Sequence, residues 1–440
     1  MSSLFSLFGN GLFTTVVFII ALSIIVAIHE YGHYIVGRWC GIKADVFSLG
    51  FGKPLYQRTD KRGTVWQIAA IPLGGYVKFS GDANAASAPD PSSVENMPEN
   101  DRRHTMHGAP LWARTLTVAA GPVFNFIFSF LIFICLMLFY GQVQDRLIVD
   151  KITPVPVQMD LMTGDEILSI EGQDVPDVAN LGSFINDLPR KAVLSYTVLR
   201  DGDRVTVNAS HPHPVLVSDV SVKSAARRAG IEVGDVITAI DGTQLPTFLD
   251  LQEAVKAKNG ADMVLSVWRA GETFDVTIAA LPRDLPLPDG GFETRWLIGI
   301  SGGFFFSPAT ETLPFWDAVT TSARQVWGII TMSVSAIGHM ITGAISTCNM
   351  SGAIGMAQFV GSAPTLGDYI GNIALISTAI GMLNLFPIPV LDGGHLVFYA
   401  YEAIRGKPLP DRAVNLMMMI GMAVILSIMV LGLSSDLFCK

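Results

Sequence analysis

The sequence predicts a multi-span α-helical membrane protein with four transmembrane helices and one large strand-rich block outside the membrane. Three observations carry this. Apolar residues make up 50% of the 440 residues and charged ones only 15%, against roughly 25% in an ordinary soluble domain. The deficit is concentrated in runs near the length of about 20 residues that a bilayer requires. Between two of these runs, residues 141–313 form an acidic block with a repeated strand pattern.

The clear spans are 11–37, 116–140 and 414–433; a fourth, 369–401, is uncharged except for Asp392 and is punctuated by Gly and Pro. No Lys or Arg precedes the first run and no small-residue cleavage site follows it, so it reads as a retained span. Between the first two spans lie Arg38, Lys43, Lys53, Arg58, Lys61, Arg62, Lys78, Arg102, Arg103 and Arg114; the turn after 401 carries Arg405, Lys407 and Arg412. The positive-inside rule puts both loops in the cytoplasm and the acidic block outside. The uncharged stretch 325–346 is long enough to cross, but crossing would move the basic 402–413 turn outside. Residues 314–366 are therefore expected as amphipathic helices lying on the outer membrane surface, with His339 interfacial or packed. The 81–108 stretch, rich in Ala, Ser, Pro and Asn, reads as a loop. A net charge of −9 without a basic tract argues against nucleic acid as a partner. Cys40, Cys135, Cys348 and Cys439 show no pairing pattern.

The acidic block repeats. "TGDEILSIEGQDV" at 163–175 matches "VGDVITAIDGTQL" at 233–245, and "LSYTVLRDGDRVTV" at 194–207 answers "LSVWRAGETFDVTI" at 265–278. Alternating apolar and polar residues with Asp-Gly turns predict strands in each copy. Both copies resemble PDZ domains, which add a peptide strand to a sheet edge; ligand capture and an inert spacer role both stay open.

Within the first span, "HEYGH" places His29 and His33 one turn apart on a helix face, with Glu30 between them. Zinc accepts imidazole nitrogens at this spacing, and the glutamate can take a proton from an acidified water. A third ligand is needed. Asp392 is the only carboxylate between Tyr369 and Ala400, and a lone buried carboxylate needs a cation or a proton; His395 is a rival. Depth agrees. His29 lies nine residues before Arg38, about 13 Å of helix, and Asp392 lies a comparable distance before Arg405. Pro387 and Pro389 remove two backbone donors and cannot continue a regular helix. An opened segment there could hold an extended substrate, with Asn384 as a hydrogen-bond donor.

Together these residues resemble the site-2 protease family of intramembrane zinc metalloproteases, through "HEYGH", "FSLGFGKPLYQRTDKRGTVWQIAAIPLGGYVKF" at 47–79, "AAGPVFNF" at 119–126, the paired repeats and "NLFPIPVLDGGH" at 384–395. The resemblance implies zinc held by His29, His33 and Asp392, with Glu30 as general base. It implies substrate binding by Asn384, with Pro387 and Pro389 shaping its segment. It also implies a cytoplasmic membrane re-entrant β element containing Gly50, Phe51 and Gly52, with Gly74, Gly75 and Tyr76 against substrate. Asn125 becomes a candidate packing or ligand-orienting group.

The layout expected is a first helix (1–40), a cytoplasmic loop with the β element (41–115) and a second helix (116–140). Two tandem PDZ-like periplasmic domains (141–212, 213–284), surface helices (285–368), a third helix (369–401), and a turn with a fourth helix (402–440) complete it. The implied location is the inner membrane of a Gram-negative bacterium. Implied partners are membrane lipid, PDZ ligands and single-span membrane proteins, including an anti-sigma factor of the envelope stress response and remnant signal peptides. The PDZ pair is expected to act as a size filter or gate. A non-enzymatic PDZ adaptor with a structural metal is the main competing reading; an ion transporter is another.

Overall fold

The computed structural model describes residues 2–82, 98–221, 224–286, 292–342, 351–361, 363 and 365–438. Most of the expected 81–108 loop, and residues 343–350 of the expected surface helices, lie outside the described residues. The chain forms two compact units: Met1–Leu136 with Pro314–Ile341 and Ser351–Ser434, and Met137–Leu313 with Thr342–Met350 and Ser435–Lys440.

The first unit is built on helices α1 (Ser2–Trp39), α2 (Leu111–Phe139), α3 (Phe315–Ile341), α4 (Ala353–Gly361), α5 (Leu366–Asn384), α6 (Asp392–Arg405) and α7 (Asp411–Phe438). Among the described residues four helices are long and apolar enough to cross a membrane: Leu12–Trp39, Leu111–Phe139, Leu366–Asn384 and Arg412–Phe438. They expose large apolar side chains such as Phe13, Ile20, Leu131, Met419 and Val430, a surface that suits lipid rather than water. Helix α3, which covers most of the uncharged 325–346 stretch, is not one of the four. It packs Val326, Ile329 and Ile330 against Phe133 and Ala374 and exposes Trp316, Trp327 and Met332.

The stretch expected as one span over 369–401 is two helices. Helix α5 stops at Asn384 and α6 begins at Asp392. The prolines explain the break, because neither Pro387 nor Pro389 can donate the backbone bond that would carry the helix on. Val390 there has a φ of 108°, a strained conformation for a β-branched residue.

Between α1 and α2, strands β1 (Ala44–Thr59) and β2 (Val65–Phe79) pair twice. Phe47 pairs with both Trp66 and Val77, Ser48 with Gln67 and Tyr76, and Leu49 with Ile68 and Gly75. The two strands therefore fold into four arms in the order 74–79, 44–51, 65–71, 54–59, bending at Gly50 and Gly74, both with positive φ. Tyr34 of α1 anchors the element through Phe47 and Trp66, with ring centroids 5.8 and 5.0 Å away. Its hydroxyl donates to Asp60 and accepts from Arg38.

In the second unit the repeat appears as two sheets. The first has strands β3 (Glu166–Ile170), β4 (Gln173–Asp174), β5 (Val193–Arg200) and β6 (Asp203–Ser210) in the order β4-β3-β5-β6. The second has β7 (Leu216–Val220), β8 (Val236–Ile240), β9 (Thr243–Gln244), β10 (Asp262–Arg269), β11 (Glu272–Ala279) and β12 (Ile300–Gly303). Its order is β11-β10-β8-β7-β12, with β9 on β8.

Each copy contains the same ion pair, formed by a buried aspartate and a partly exposed arginine. Arg200 grips Asp165 through two bonds of 2.7 Å; Arg269 grips Asp235 at 2.6 and 2.7 Å. Burial alone would raise the Asp165 carboxyl, but Arg200 and the Met162 N–H hold it below its ordinary range. Arg200 thus corresponds to Arg269, which corrects the string match of 194–207 with 265–278 by two residues. Turn geometry sets the true register. Asp201-Gly202 and Ala270-Gly271 have positive φ at both positions, the pattern of a tight two-residue hairpin.

Candidate metal centre

Helix α1 carries His29 and His33 on the face that meets α2. The approach is close because the facing residues are small. A Cβ on Gly121 would fall 2.3 Å from His33 Nε2 and 2.8 Å from His29 Cε1, and one on Gly32 would fall 2.6 Å from the Ala120 carbonyl. Small residues at a membrane helix contact let backbones approach in this way.

Asp392 arrives from α6. A Cβ on Gly393 would meet the carbonyls of Leu385 and Phe386 at 2.3 Å, and one on Gly394 that of Ile388 at 2.5 Å. The two glycines let the first turn of α6 tuck under the broken segment, which brings the preceding aspartate to the histidines.

His29 Nε2 lies 3.1 Å and His33 Nε2 3.5 Å from Asp392 Oδ2, and the two ring nitrogens are 3.2 Å apart. These three residues are the one group among those described whose donor atoms converge on a metal-sized space. Asp392 Oδ2 is buried without a hydrogen-bond partner. A buried carboxylate oxygen facing two imidazole nitrogens calls for a cation or a proton between them, and an N₂O donor set is one that hydrolytic zinc uses. His395 lies outside the group, its ring edge-on to Phe398 at 5.9 Å.

Other expected residues surround this centre. Glu30 follows His29 on α1, and its Cγ would be 3.1 Å from a Cβ on Gly75, so the 74–79 arm runs directly past it. Tyr76 stacks on Phe51 at 6.0 Å, and that ring fills the space where a Gly74 side chain would stand. Asn384, the last residue of α5, places its amide nitrogen 3.5 Å from His29 Nε2. Pro387 and Pro389 lie in the break between α5 and α6. On the far side of the rings, His33 Nδ1 meets the Thr117 carbonyl at 2.8 Å and His29 Nδ1 meets the Asn125 amide at 3.2 Å.

The sequence alone does not single out Gly121, Gly32 or Thr117. The signal for the first was present, since "AAGPVFNF" puts a run of small residues inside an apolar span.

The sequence profile of peptidase family M50 matches residues 17–428. The chain belongs to peptidase family M50. It is similar to the regulator of sigma-E protease RseP of Salmonella typhimurium (32% identical) and that of Escherichia coli K12 (31%), each match covering 95% of this chain and 97% of the relative. It is also 37% identical to a protein of Agrobacterium fabrum described, by inference, as a zinc metalloprotease, over 96% of this chain and 94% of that one. As a member of the family, the protein is a zinc metallopeptidase of the site-2 type and a multi-pass bacterial membrane protein engaged in intramembrane proteolysis. The non-enzymatic adaptor reading is thereby set aside.

Proposed function

We propose that the protein hydrolyses peptide bonds within transmembrane segments of single-span proteins, using His29, His33 and Asp392 as metal ligands and Glu30 as the proton-transfer group. The observation that carries this is the convergence of the three donor atoms beside a strand arm and a broken helix. Zinc held there supplies Lewis acidity, lowering the pKa of water toward about 7 and polarising a carbonyl.

The chain's own residues supply the rest. Glu30 takes a proton from the attacking water and returns it to the leaving amine. Gly74, Gly75 and Tyr76 sit on the outer arm of the β element, where main-chain N–H and C=O groups can pair with an unwound substrate. Asn384, beside His29, can donate to a substrate carbonyl as charge develops on its oxygen. The 385–391 break, kept open by Pro387 and Pro389, gives the substrate room. Non-helical backbone at this depth fits a site lined by protein or water.

In our reading the β element re-enters the membrane from the cytoplasmic side of the inner membrane, as the basic loops suggest. The two repeats are PDZ-like periplasmic domains that capture a peptide or filter substrates by size. The RseP relatives are named regulators of sigma E; an anti-sigma factor of the envelope stress response is our proposed substrate class, with remnant signal peptides a second. The test is co-expression of a tagged single-span substrate with wild type and with Glu30→Gln. Cleavage should disappear in the variant; persistence would refute the mechanism.

A further inference from the structure

We infer that Asn125 is a positioning residue for the metal centre: its side-chain carbonyl accepts the Nδ1–H of His29 and holds the ring in the tautomer that leaves Nε2 bare for metal. This rests on the ligand set proposed above.

A histidine that ligates through Nε2 must carry its proton on Nδ1, and the group facing Nδ1 decides whether it does. For His33 the matter is closed. Its Nδ1 lies 2.8 Å from the backbone carbonyl of Thr117, which can only accept. For His29 the facing group is the amide of Asn125, fully buried, with Nδ2 3.2 Å from the ring and Oδ1 without a partner. Nδ2 could only donate to Nδ1. That would push the ring proton to Nε2, the atom 3.1 Å from Asp392, and close it to metal.

Oxygen and nitrogen of an amide are assigned by their surroundings. Turning the Asn125 side chain by 180° puts Oδ1 on His29 Nδ1 and restores a bare Nε2. The turn exchanges one unpaired amide atom for the other, so the ring decides. Both rings are then oriented by acceptors on the same helix, Thr117 and Asn125, eight residues apart and about 12 Å along it.

The carbonyl carrier is itself held in place. Ser377 of α5 donates to the Asn125 backbone carbonyl at 3.1 Å, and the Ser129 hydroxyl is shared between that carbonyl and Ala374's, at 2.9 and 2.8 Å.

The experiment uses the full-length protein in detergent, stripped of metal, with zinc affinity measured by competition against a chromophoric chelator. Asn125→Leu keeps the branched shape and removes the acceptor; its zinc affinity should fall about 10- to 100-fold. Asn125→Asp keeps an acceptor and should stay within about threefold of wild type. Wild-type affinity in Asn125→Leu, or equal loss in both variants, would overturn the inference. Should Asn125→Leu not fold, imidazole ¹⁵N shifts of the zinc-loaded wild-type protein carry the test, since a His29 Nδ1 without its proton would overturn it. His29→Ala is the control for the reading beneath. Undiminished zinc affinity there would refute the ligand set itself, and the inference with it.

Discussion

Gly121 of α2 and His33 of α1 are in contact so close that one added carbon would occupy the coordination space, 2.3 Å from Nε2. Gly121→Ala is therefore expected to push His33 off the centre and weaken zinc binding by about tenfold or more. Fluorescence or thermal melting should show the variant folded, while chelator competition reads the loss; unchanged zinc affinity would mean the rings do not bind metal in this position.

Glu30 and Asp392 should separate cleanly. Glu30→Gln is expected to keep its zinc, measured by elemental analysis, while cleavage falls by about 10²- to 10⁴-fold. Asp392→Asn should lose zinc and cleavage together. Full zinc occupancy in Asp392→Asn would point to another ligand.

The duplicated ion pairs give a test of the two sheets. Asp165 and Asp235 are each 1% exposed, so removing the partner arginine leaves a buried charge uncompensated. Arg200→Met should destabilise the first sheet, seen as lost amide protection in residues 147–210 with little change in 236–279. Arg269→Met should show the reverse pattern. Uniform loss over both repeats would mean that they unfold as one cooperative unit.

His211, buried where the repeats join, has its pKa lowered to about 4 by burial, against about 6.5 unfolded. The unfolded state binds more protons between these values, so stability rises with pH across the window and falls on acidification. From pH 7 to pH 5 the loss should be about 2 kcal/mol from this group. His211→Asn, whose Oδ1 can still accept the His213 N–H that Nδ1 accepts now, should flatten the dependence of the melting temperature. A slope unchanged by the substitution would assign the effect elsewhere.

The trio at the centre was legible because each member breaks a local rule: ionisable groups inside apolar runs have few reasons to be there. Pro387 and Pro389 likewise announced the break, although they did not show that it divides the third apolar stretch into two helices. What stayed hidden was relational. Nothing in the neighbourhood of Gly121 says that it will face His33, since that pairing depends on two helices far apart in sequence. The double pairing of β1 was also hidden, because glycine bends at Gly50 and Gly74 read equally well as ordinary turns. The repeat was visible, but its second half was misregistered by two residues because the shared Leu-Ser pairs outweighed the turns that fix the strands.

Gly74 and Gly75 leave two successive positions on an outer strand arm without side chains. A main chain can be gripped there, and neither position adds a side chain of its own to select a residue. Under the pairing proposed here, choice passes from the letters of a substrate to its mechanics, to how readily a helix gives way and how many residues it surrenders. Cleavage rates across a panel of membrane segments would then rank by resistance to unwinding, and no consensus around the cut bond would emerge.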